Sequence, residues 1–117
     1  MRINEVVFDG RVPIDGYGPG FFRVSGEALD GPLALLPSGP RPWGGLPDVE
    51  VFLERPGDFD VLLVGMGAEI APLSGDVRVR LENAGIAVEI MGTPSACRTY
   101  NVLLGEGRRI AAALAPV

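Results

Sequence analysis

The 117-residue chain contains no histidine, no lysine and a single cysteine, Cys97. All ten of its basic residues are arginines. Without histidine there is no Ser-His-Asp or Cys-His relay and no histidine-based zinc site. Without lysine there is no Schiff-base nucleophile and no P-loop cation. A lone cysteine forms no internal disulfide. Positive charge is also scarce: the net charge is −5 and the sequence pI about 4.6. Phosphate contacts need a basic patch, so nucleic acid is a poor partner. The most apolar stretch, around Val61–Val64, falls far short of the ~20 residues that span a bilayer. The opening Met1-Arg2-Ile3-Asn4-Glu5 lacks the apolar run of a signal peptide. The expectation is a cytoplasmic protein without a cofactor or metal. Peripheral contact with a membrane complex stays open.

What is present is enough for a core. Hydrophobic residues make up 47% and charged residues 21%, a globular composition. A chain of this length buries roughly 65% of its unfolded surface without help from cross-links. We read residues 1–117 as one domain. The first half is dense in glycine and proline, from Gly16 to Pro47. Such punctuation favours short strands joined by turns. Glu5–Phe8, Phe21–Ser25 and Pro32–Leu36 are the strand candidates.

The second half is more regular. Asp48–Glu54 reads as a short helix with Asp48 as its cap, although its alternation also suits a strand. Phe59–Val64 is apolar apart from Asp60, as in a strand covered on both faces. Ser74 suits an N-cap, Asp76 the first turn and Gly85 the stop of a second helix. Ile86–Met91 reads as a strand. Thr93-Pro94 opens a helix, with Thr93 as cap and Ala96, Tyr100, Leu103 and Leu104 on its apolar face. Arg109–Leu114 is alanine-rich, which favours helix. Its place in a strand–helix–strand–helix–strand rhythm favours strand, and we assign it so. The expected fold is α/β: one compact domain, a mixed sheet, and a parallel βαβαβ C-terminal core covered by helices. The first-half strands would extend or cap that sheet.

Three motifs run in order along the chain. The first is Leu35-Leu36-Pro37 with Gly39 and Trp43; the second is Leu62-Leu63 with Gly65 and Gly67. The third joins Glu89, Met91, Thr93, Ala96, Thr99-Tyr100-Asn101 and Leu103 to Glu106-Gly107-Arg108-Arg109. Together they resemble the family that contains mitochondrial NADH dehydrogenase complex I assembly factor three and many bacterial and archaeal single-domain proteins. The resemblance implies a compact α/β domain, no established biochemical activity, and a protein partner in complex I or its assembly machinery. Members commonly read Gly-Thr-Gly where this chain has Gly65-Met66-Gly67, and Met-Asp-Thr where it has Met91-Gly92-Thr93. Both departures remove a polar side chain and argue against catalysis.

The candidate binding surface comprises Trp43, Gly65, Met66, Gly67, Thr93, Arg98 and Asn101. Gly65–Gly67 follows a strand end, where open α/β sheets take ligands. It lacks the third glycine of a dinucleotide fingerprint, and a tight turn explains it equally. Thr93 and Arg98 suggest an anion at a helix start. The alternative is that Arg98, Arg108 and Arg109 pair with Glu89, Glu106 and other carboxylates. Cys97 is expected as a small buried hydrophobe. Trp43 is either an interface anchor or a cover for the sheet edge. The function expected is a non-enzymatic interaction module linked to complex I assembly. The competing readings are a binder of, or enzyme on, an anionic ligand at Gly65–Gly67 and Thr93–Arg98, and a homodimer.

Overall fold

A computed structural model describes residues 11–117. The candidate strand Glu5–Phe8 lies outside these residues. Ile14–Gly18 (β1), Phe21–Val24 (β2) and Glu27–Asp30 (β3) form an antiparallel sheet in the order β1-β2-β3. The chain continues through Leu33–Leu36 (β4), Gly39–Arg41 (β5), the one-turn helix Glu50–Leu53 (α1) and Val61–Gly65 (β6). Gly75–Asn83 (α2), Ala87–Met91 (β7), Thr93–Gly105 (α3) and Ile110–Leu114 (β8) follow. The second sheet has the order β5-β4-β8-β6-β7. Strands β7, β6 and β8 run parallel, and β4 and β5 are added antiparallel at the β8 side. The expected mixed sheet and parallel core are therefore present. Strands β4 and β5 extend the large sheet, one of the two arrangements expected, whereas β1, β2 and β3 form a separate small sheet that packs on the α3 side.

Strand alternation divides the core into two layers. Leu63, Ala112 and Leu114 face one side, with Ala96, Cys97, Tyr100 and Leu104 of α3 and Ile14, Phe22 and Val24 of the small sheet. Leu62, Val64, Ala111 and Ala113 face the other, with Phe52 of α1 and Val77 and Leu81 of α2. Strand β8 is buried along its whole length. Its alanines adopt a strand because it lies between β4 and β6, and pairing on both sides outweighs their helical preference.

The helix ends are set locally. Ser74 Oγ accepts the Val77 N–H at 3.3 Å and starts α2. Both long helices stop with a glycine at positive φ, Gly85 at 84° and Gly107 at 78°. In each, the next two amides fold back. Ile86 N–H reaches Leu81 O, and Arg108 N–H reaches Leu103 O, the Schellman arrangement. Asp48 sits one position earlier than expected. Its Oδ1 takes the Glu50 N–H at 3.0 Å as a turn leading into α1, and Val49 flanks the helix.

Helix α3 buries two ionisable groups. Burial pushes the Cys97 thiol from its ordinary 9.0 up to about 11. It pushes the Tyr100 phenol from 10.0 up to about 12, opposed in smaller part by the Arg11 charge. Both are neutral in the fold at pH values where the unfolded chain ionises them, so the unfolded state loses protons first. Stability should therefore hold level up to about pH 9 and fall as pH rises from 9 towards 12. Urea midpoints across that range will check this. A midpoint unchanged to pH 12 would contradict the burial of both groups.

Candidate functional site

The chain leaves β6 towards α2 on one face of the sheet and leaves β7 towards α3 on the other. Such a divergence opens a crevice at the carboxyl ends of the strands, where α/β sheets hold ligands. Here Thr93 fills it. Its side chain is fully buried. Its Oγ1 accepts the Gly67 N–H at 2.9 Å and donates to Ala115 O at 2.6 Å. Its own amide donates to Gly67 O at 2.8 Å. Met66 N–H to Met91 O and Ala115 N–H to Gly65 O continue the stitching. One hydroxyl thus serves as both donor and acceptor between the extensions of two strands.

This differs from the capping role expected for Thr93. Gly92 flanks the helix, Thr93 is the first residue inside it, and the hydroxyl turns outward to the strand ends. The glycines of Gly65-Met66-Gly67 make the approach possible. A Cβ on Gly65 would lie 2.8 Å from Thr93 Oγ1 and 2.9 Å from Leu114 Cδ2. Gly67 has φ +99°. The start of α3 also has little to offer an anion. Its first amide is spent on Gly67 O, and Pro94 has none to give.

The other candidate residues divide between two surfaces. Trp43, Gly65 and Met66 line one hollow of about 290 Å³ with Pro32, Gly45, Leu46, Ala115 and Pro116. Among the described residues no titratable side chain lines it. The Trp43 indole N–H donates to Asp48 O at 2.6 Å, and its ring meets Phe52 edge-on, with centroids 5.6 Å apart. These contacts pin the proline-rich loop onto α1. Trp43 and Pro32 also border a larger cleft of about 560 Å³ that runs between β3 and β5. Pro32, Leu46 and Pro116 carry no sequence signal for this site, because they come from two separate loops and the segment after β8, with no shared motif.

Arg98 and Asn101 lie elsewhere, in a hollow of about 200 Å³ with Ile14, Asp15, Gly16, Tyr17, Pro94 and Cys97. Asn101 makes a two-point clamp there. Its Oδ1 takes the Ile14 N–H at 2.8 Å and its Nδ2 donates to Ile14 O at 2.7 Å. The side-chain amide acts as a piece of neighbouring strand for β1. Arg98 is exposed and reaches Ser95 Oγ at 3.4 Å. Burial raises the Cys97 pKa still further above physiological pH, away from the thiolate a nucleophile would need. Arg109 pairs with Asp60 at 3.1 Å and donates to Gly57 O at 2.7 Å, at the opposite end of the strands. Glu89 and Glu106, the partners considered from sequence, take no part in the ion pairs of the described residues. Among the described residues no group of three or more Cys, Asp or Glu gathers to hold a metal ion.

Thr93→Val keeps the shape of the side chain but leaves the Gly67 N–H and Ala115 C=O without their partner. It should cost about 1–3 kcal/mol for each buried group left unpaired. Thr93→Ser, which retains the hydroxyl, should recover most of the loss. Denaturant midpoints of the two variants will separate the hydroxyl from the methyl.

The comparisons agree with this architecture. The family model described as a protein of unknown function (DUF498/DUF598) matches residues 14–115. An uncharacterised protein of Rhodobacter capsulatus is 48% identical over the whole chain and 94% of its own length. The human NADH dehydrogenase [ubiquinone] 1 alpha subcomplex assembly factor 3 is 36% identical over 88% of this chain. The chain spans 60% of that relative's length. A structure of a Bartonella henselae protein named as an outer membrane protein superposes with a TM-score of 0.85 at 39% identity. It covers 95% of this chain and 99% of its own. A Bordetella pertussis protein named as an Mth938-like domain gives a TM-score of 0.74 at 27% identity, covering 99% of this chain and 92% of its own. The chain belongs to the DUF498/DUF598 family, which it shares with relatives named as complex I assembly factors.

Proposed function

We propose that this domain is a non-enzymatic protein-interaction module that assists assembly of respiratory complex I from the cytoplasmic side. The observation that carries the reading is the apolar hollow where Trp43 and Met66 meet Pro32, Leu46 and Pro116. A rigid aromatic ring beside an apolar pocket suits a partner's hydrophobic side chain. Among the described residues its lining holds no side chain to transfer a proton, attack a carbonyl or bind phosphate. Relatives named as complex I assembly factors support complex I as the partner. Among the described residues no helix is long and apolar enough to cross a membrane, so contact with the membrane complex would run through a subunit.

The test is affinity capture from the native host under gentle detergent. Wild type should recover complex I subunits. Trp43→Ala and Met66→Glu should each reduce recovery about ten-fold or more, as expected of a central anchor. Arg98→Ala, on the separate hollow, serves as the control and should bind normally. Equal recovery by Trp43→Ala and Met66→Glu would contradict this surface. Wild type free of respiratory subunits and carrying a metabolite would contradict the function.

A further inference from the structure

The large sheet ends in two edges, β5 and β7. Strand β5 contains Pro40 and is followed by Pro42, which removes donors and protects that edge from pairing. Strand β7 has no proline and, among the described residues, pairs only with β6. In a parallel pair, residues of one parity turn their backbone groups to the neighbour. Ala87 N–H donates to Asp60 O, and Met91 O accepts from Met66 N–H. Ala87, Glu89 and Met91 therefore face β6. The N–H and C=O groups of Val88 and Ile90 point away from the sheet, with no backbone partner among the described residues.

The side chains along this edge define what fits it. Val88 and Ile90 are half-buried against the α2 layer. Glu89, between them, is exposed on the opposite face and joins no ion pair among the described residues. A second copy is a poor occupant. In the symmetric antiparallel register that lets Val88 and Ile90 exchange bonds with Ile90 and Val88 of the copy, Glu89 stands opposite Glu89. That position is a non-hydrogen-bonded pair, with Cα atoms about 4.5 Å apart. Like charges directly opposite are destabilising, and opposite charges are favourable. The net charge of −5 further favours a basic partner.

We infer that β7 accepts an extended segment of a partner protein as a sixth strand. In that segment a lysine or arginine opposite Glu89 lies between two apolar residues beside Val88 and Ile90. This surface is separate from the Trp43 hollow. The inference rests on register and charge, whatever the partner's identity.

The probe is a blocked peptide, Thr-Val-Arg-Val-Thr, compared with Thr-Val-Glu-Val-Thr. Both are titrated to millimolar concentration into the full chain and followed by amide NMR. The arginine peptide should give saturable shifts centred on Val88 and Ile90. The glutamate peptide should bind about five-fold more weakly, from the sign of one cross-strand pair. Glu89→Lys, an exposed change, should reverse the preference. The proposal is overturned if Val88 and Ile90 do not respond, if both peptides act equally, or if the wild-type chain pairs with itself through β7. None of these outcomes bears on recovery of complex I through Trp43.

Discussion

The Thr93 hydroxyl holds together what the sheet would otherwise leave open. Parallel strands whose connections diverge to opposite faces end in a gap. In this chain the gap lies between the extensions of β6 and β7, with β8 alongside. From the β7 side Thr93 spans it with the hydrogen bond its hydroxyl accepts from Gly67 N–H, at 2.9 Å, and ties in the end of β8 by donating to Ala115 O, at 2.6 Å. Buried and bonded on both sides, the hydroxyl meets the requirement that polar groups in a core be satisfied. Gly65 is needed for the same reason, since any side chain there would collide with Thr93 and Leu114. The motif that looked like half of a phosphate loop is the clearance for this contact.

Closing the crevice moves the accessible surface sideways. Gly65 and Met66 now form one wall of an apolar hollow, and the Trp43 loop forms another. That loop is held by an indole hydrogen bond and an edge-on contact with Phe52. The same closure separates Trp43 and Met66 from Arg98 and Asn101. Asn101 is spent on both backbone groups of Ile14, so it fastens the small sheet to α3. The strand ends thus present shape and apolar area, with the cations placed elsewhere. That division fits recognition of a protein better than turnover of an anion.

Much of the second half was legible because its signals are local. Ser74 and Gly85 act through bonds to residues within a few positions, and the βαβαβ rhythm resolved even the alanines of β8. Other features depend on contacts far apart in the chain. Thr93-Pro94 has the look of a cap and start, and nothing nearby shows that the hydroxyl meets Gly67 and Ala115. The clamp of Asn101 on Ile14 joins residues 87 positions apart. Arg109 finds Asp60, 49 positions away, where sequence neighbourhood suggested Glu106. The hollow itself draws Pro32 and Leu46 from two loops and Pro116 from the segment after β8. The candidate residues were named individually, but the way they divide between surfaces follows from tertiary packing alone.

The most direct measurement is native-state amide hydrogen exchange at Gly67 and Thr93. If the hydroxyl tie anchors the strand ends, both amides should exchange only through global unfolding, at the rate of the core strands. Exchange of either through a local opening, while β6 and β8 stay protected, would contradict the account.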